Sequence, residues 1–161
     1  MGVISRYFNA RQGKILTKWA LTFSVLGTQI TSQRIEDLLC LLMAVIVADK
    51  RVYAEEIQTF LKEAGKLQKT LDIEPHWSEP KILMWYELNK TAVKEQALGP
   101  NLEPWLYERV NRLAGIENKA AILEAMRQIA IADGELHVSE RALIVLTARQ
   151  WVLYPSGGNA A

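Results

Sequence analysis

The stretch Ala48-Asp49-Lys50-Arg51-Val52-Tyr53-Ala54-Glu55-Glu56 is echoed 84 residues later by Ala132-Asp133-Gly134-Glu135-Leu136-His137-Val138-Ser139-Glu140. Each copy follows an apolar run and precedes another. The shared element therefore reads as a helix, an Ala-Asp step, a brief loop with one aliphatic residue, and a Glu that opens the next helix. Two copies in the same context predict a duplicated helical hairpin with an acidic pair on matching turns. In both copies the Asp and the Glu stand seven residues apart, on either side of the connection.

Working outward, no segment of useful length shows the strict alternation of a half-buried strand, whereas helical spacing recurs throughout. A first helix is predicted through Ile15, Trp19, Thr22, Phe23 and Leu26, ending near Gly27. Thr31 or Ser32 can cap the second, whose run Leu38–Ala48 is apolar on every side and predicts a central helix. The third presents Ile57, Phe60, Leu61, Ala64 and Leu67 as one stripe. Residues 72–80 read as a loop, with Ser78 as N-cap and Pro80 in the first turn of a fourth helix. That helix offers Ile82, Leu83, Trp85, Tyr86, Ala92 and Val93, and stops at Gly99-Pro100. Asn101 and Pro104 open a fifth and Gly115 closes it; Asn118 caps a sixth; a seventh runs from about Val138 to Leu153, before Pro155. The expectation is an all-α single domain of about seven helices over residues 1–155, built from two pseudo-repeated helical hairpins. Within it, 1–31 form a basic N-terminal arm and helix, 35–67 and 118–153 are the pseudo-repeats, and 156–161 read as a flexible tail.

Composition agrees with a globular chain: 161 residues, half of them hydrophobic, are enough for one sizeable core. The net charge of +1 hides an asymmetry, because residues 1–35 carry Arg6, Arg11, Lys14, Lys18 and Arg34 and no acid. Such an arm can meet phosphates, lipid headgroups or the protein's own acidic surface. The single Cys40 excludes an internal disulfide framework and fits a reducing compartment. The eleven apolar residues of Leu38–Ala48 are too few to span a bilayer. Trp19–Gly27 imitates a signal-peptide core without a clean cleavage site, and Arg6 stands where myristoylation wants Ser or Thr. The expected setting is cytoplasmic, with peripheral contact to a membrane left open.

Two readings of the acidic repeat stand together. In the first, Asp49 and Asp133 accept hydrogen bonds from loop amides, and Glu56 and Glu140 sit in a helix's first turn, reaching back to a free amide. Val52 and Leu136 would then plug the loops into the core. In the second, Asp49, Glu56, Asp133 and Glu140 supply hard oxygen ligands to a divalent cation, converging if the hairpins pack about a pseudo-twofold axis. His137 could recruit zinc with Asp133, although one His and one Asp do not make a zinc site. The structural role takes precedence, since satisfying polar loop groups is the commoner use of such residues.

These residues resemble the tellurite-resistance protein B (TerB) family, whose members repeat an A-D-G-x-[aliphatic]-x-x-x-E pattern between helices. Ala132-Asp133-Gly134-Glu135-Leu136 with Glu140 matches it, while the first copy departs, with Lys50 for the glycine and Arg51 for an acidic residue. The resemblance implies an all-α fold of two pseudo-repeated units and a role in the response to tellurite and other chemical stress. It also implies a divalent metal (calcium, magnesium, manganese or zinc) on Asp49, Glu56, Asp133 and Glu140. Asp133 and Glu140 are the favoured pair, because Lys50 and Arg51 set two cations beside Asp49. No enzymatic reaction is implied, so the expected function is a non-catalytic stress-response module that docks a protein partner, membrane-associated partners included.

The remaining candidates are weaker. Trp77, Trp85, Tyr86, Trp105 and Tyr107 cluster between the two copies. Trp85, Tyr86 and Trp105 supply the alternative function, a regulatory domain binding a small aromatic molecule in an inter-helical pocket. Cys40, on the most apolar helix, reads as core filler, and His76 as a loop residue. Ser139 lies two positions from His137 without a third group, so a nucleophilic hydrolase is not expected. No nucleic-acid signature accompanies the basic arm, whose cations read as a solvated helix face.

Overall fold

The computed structural model describes residues 32–153, and these contain six α-helices and no strand. The predicted first helix, the arm with Arg6, Arg11, Lys14 and Lys18, and the tail 156–161 lie outside the described residues. Helix α1 covers 32–47, followed by α2 (Ala54–Thr70), α3 (Glu79–Ala97), α4 (Leu102–Arg112), α5 (Lys119–Ala130) and α6 (Val138–Leu153). No helix among the described residues is long and apolar enough to cross a membrane.

Helix α1 is the centre of the core, as its unbroken apolar composition requires. Leu38, Leu39, Leu41, Leu42, Met43, Ala44, Val45 and Ile46 are all fully buried, each large side chain contributing about 2 kcal/mol of transfer free energy. Cys40 is half-buried against this core, and burial pushes its thiol pKa up. An acid precedes the apolar run: Asp37, 1% exposed, accepts from Nε and Nη2 of Arg112 on α4, each at 2.7 Å, with Gln33 also donating at 3.3 Å. The pair spans 75 positions and fixes α4 against α1.

Helix α2 buries Phe60, Ala64 and Leu67 and packs along α5, whose Ile122, Ala125, Met126 and Ile129 are equally inaccessible. The following loop is clamped from beneath by Gln68. Its side-chain amide nitrogen, Nε2, donates to the carbonyls of Trp77 (3.2 Å) and Ala64 (3.3 Å), and its Oε1 accepts from the Trp77 amide. Helix α3 turns a narrower face inward than its sequence predicts. Ile82, Tyr86 and Val93 are buried, whereas Leu83 and Ala92 are exposed, because one flank of the helix has no neighbour among the described residues. Ser78 occupies the predicted N-cap position without a side-chain hydrogen bond, and Asn118 caps α5 by accepting from the Ala121 amide at 3.2 Å. Helix α6 rests on α5 and α4, tied to α4 by Trp151 Nε1 donating to the Val110 carbonyl at 3.2 Å.

Candidate functional site at the junction of two acidic turns

The connections α1–α2 and α5–α6 have the same construction, hydrogen bond for hydrogen bond. In the first, the Asp49 carboxylate accepts from the Arg51 amide at 2.9 Å, and Glu56 reaches back to the Tyr53 amide at 2.8 Å. In the second, Asp133 accepts from the Glu135 amide at 3.0 Å, and Glu140 from the His137 amide at 2.8 Å. The third position of each helix thus holds a glutamate that satisfies an otherwise free amide, where the helix dipole also favours negative charge. Lys50 and Gly134 occupy equivalent places with φ of 70° and 98°. The difference between the two angles accounts for the residue types. A value near 70° lies at the edge of the left-handed region that L residues enter at a cost, whereas 98° lies beyond it and calls for glycine.

One expectation fails. Val52 and Leu136 do not plug the loops into the core: they are 45% and 43% exposed. The glutamates take the inward direction instead, Glu56 at 1% and Glu140 at 0% exposure, and the aliphatic residues are left on the outside of each turn.

The two turns face each other, so the four acids form one cluster rather than two. Each carboxylate commits one oxygen to its own turn. Of the others, Asp133 Oδ2 and Asp49 Oδ2 lie 3.4 and 3.6 Å from the same atom, His137 Nε2. Both contacts are ion-pair separations without hydrogen-bond alignment, and Nε2 is a buried atom with no hydrogen-bond partner. Glu140 Oε1 is likewise buried and without a donor. Its nearest relief is a proton carried by Glu56 or a cation between the two acids. The imidazole is flanked by the aspartates rather than closed with them around a point, and among the described residues no three His, Cys, Asp or Glu side chains stand as a ready-made ligand set.

Electrostatics follow from this crowding. Burial, with Glu140 and Asp49 nearby, pushes Glu56 up to about 7 against the pull of the Tyr53 amide. Burial raises Glu140 as well. The Glu135 amide, joined by His137, holds Asp133 below the usual carboxylate range. Burial pulls the His137 imidazole down, but Asp133, Glu140 and Asp49 together outweigh it, and its pKa is raised.

Two open grooves reach the junction and meet at Arg51 and His137. One, about 730 Å³, is lined by Ala48, Asp49, Lys50, Arg51, His137, Val138, Ser139 and Ala142. The other, about 540 Å³, is lined by Arg51, Tyr53, Glu55, Ala132, Asp133, Glu135 and His137. The aromatic candidates lie elsewhere. Tyr86 is 3% exposed and packs on Phe60 with ring centroids 5.7 Å apart, Trp105 is covered by the Arg109 guanidinium at 4.1 Å, and Trp85 is half-buried against the core. His76 is in the α2–α3 loop, beside Glu74.

The sequence points to the four acids and gives His137 only a secondary place beside Asp133, whereas the structure sets His137 against both aspartates. The signal was present: His137 sits four residues after Asp133, immediately before a helix start, where a side chain returns toward its own turn. Its proximity to Asp49, 88 positions away, carried no such signal. Compared with protein-family models, with curated proteins and with solved structures, the chain matches none.

Proposed function

We propose that this protein is a non-catalytic helical binding module of the tellurite-resistance protein B type, which holds one divalent cation at the junction of its two acidic turns. In this reading the hairpins α1–α2 and α5–α6 are copies of one duplicated unit, and Asp49, Glu56, Asp133 and Glu140 act together as ligands or immediate neighbours of the ion. The observation that carries it is the division of labour within each carboxylate: one oxygen holds the turn, and Asp49 Oδ2, Asp133 Oδ2 and the buried, partnerless Glu140 Oε1 are left at the junction. Burying several acids together is costly unless a positive charge accompanies them. A bound ion would supply that charge and orient the carboxylates. The protein's residues would bind, desolvate and shield it, in keeping with an adaptor that reports chemical stress to a partner.

Isothermal titration and thermal unfolding of chelator-treated protein with manganese, zinc, calcium and magnesium test this. At least one ion is expected to raise the melting temperature of the wild type, and Asp133→Asn with Glu140→Gln to abolish the effect while keeping the amide-acceptor oxygens of both turns. Neither heat nor stabilisation with any of the four ions would dismiss the cation reading.

A further inference from the structure

We infer that the end of the bundle carrying the two turns is an interface with a second copy of this chain, a twofold dimer in which the α1–α2 turn of one copy lies on the α5–α6 turn of the other. This pairing is independent of the cation reading, because it uses the outer surface of the turns and none of the four junction acids.

Three observations support it. The first is charge. Matching positions of the two turns hold Lys50 and Gly134, Arg51 and Glu135, then Glu55 and Ser139 at the following helix start, and all six residues are exposed. The two grooves are therefore alike in build and unlike in charge: Lys50 and Arg51 line the larger, Glu55 and Glu135 the smaller, and Arg51 stands where they meet. Among the described residues, Lys50, Glu55 and Glu135 enter no salt bridge within their own chain, while Arg51 leans on the Tyr53 side chain. The second is the apolar surface between these charges. Val52, Leu136 and Val138 are 45%, 43% and 86% exposed. Scattered singly, such residues need no account, but here Val52 directly follows Lys50-Arg51 and Leu136 directly follows Glu135. An apolar centre with a charged rim is the usual build of a protein–protein interface. The third is symmetry. The turns repeat each other's hydrogen bonds and meet across the junction, so their outer surface has matching halves of opposite charge. A second copy turned over about an axis between the halves sets positive on negative twice. Such a patch is its own complement, as a twofold interface requires. A uniformly anionic surface, such as a membrane, would meet Glu55 and Glu135 as well as the two cations, and be repelled by that half.

Sedimentation of the full-length chain from micromolar to millimolar concentration tests the pairing, with chelator present so that no ion bridges the copies. Wild type is expected to show a reversible monomer–dimer equilibrium. Its affinity should fall at least about tenfold between roughly 0.05 and 1 M salt, where the screening length shortens toward ~3 Å. Arg51→Glu and Glu135→Arg each set like charges against one another at both symmetry-related contacts, and each should weaken dimerisation more than about 100-fold. Thermal unfolding verifies that each variant is folded. Mixing the two variants restores both contacts with their signs exchanged, so a mixed dimer close to wild-type affinity should form. The chain carrying Arg51→Glu together with Glu135→Arg should likewise pair with itself. A wild type that stays monomeric at millimolar concentration would overturn the inference. So would a dimer indifferent to either charge reversal, or single variants that do not pair when mixed.

Discussion

Gly134 and Lys50 show how a single backbone angle decides which side chain a turn accepts. No atom lies within 4 Å of where a Gly134 side chain would begin, so a substitution there is opposed by φ alone. Gly134→Ala is expected to destabilise the protein by about 1 kcal/mol, and Lys50→Gly to stabilise it by about 0.5 kcal/mol, strain relief being partly offset by lost chain stiffness. Equal changes of the same sign for the two variants in urea titrations would contradict this account. At the same scale, the junction acids set the pH response of the metal-free protein. Glu56 is raised from 4.5 to about 7, so the native state binds more protons than the unfolded chain across that window, and stability falls as pH rises through it. His137, also raised, acts in the same sense: its contribution is complete below 6.5 and is lost above its folded value. Opposing them, Glu124 is held at about 2 by Arg127 and Gln128, so its contribution is present above 4.5 and lost as pH falls toward 2. Denaturation curves in chelator at stepped pH should therefore give maximal stability near 4.5 to 5, and Glu56→Gln should flatten the alkaline decline. A wild-type stability that climbs through that window would refute the assignment.

At the scale of elements, the clearest sequence signals were those with a period. The unbroken apolar run of α1 announced a helix with neighbours on all sides, and the stripe of Phe60, Ala64 and Leu67 announced the buried face of α2. Position within a turn was less legible. An aliphatic residue in a short loop suggests a plug, yet Val52 and Leu136 stay outside because glutamate N3 side chains, drawn back to the free amides, already occupy the inner side. Pairings between elements were not legible at all. Asp37 is one acid in an apolar run, and nothing local identifies Arg112 as its partner. Because Asp37 is buried, Arg112→Ala should cost about 3 kcal/mol by stranding its charge, and Arg112→Met with Asp37→Leu should recover most of that loss. Equal destabilisation of the single and double variants, measured by thermal unfolding, would show that packing rather than charge holds α4 to α1.

At the scale of the molecule, the repeated motif announced the all-helical layout of the described residues, and its four acids stand out by their spacing. The motif could not disclose that two turns would supply one cluster, since that depends on how α2 lies along α5 and α6 along α5. It ranked the second turn over the first, and the structure sets His137 of the second turn against the aspartates of both. This has a consequence for divisibility. Each hairpin carries its own apolar stripe and its own capped turn, and a chain cut between α3 and α4 would separate them as recognisable halves. Neither half would keep the four-acid junction, for each would hold two acids tied to its own amides and lose the residues that face them.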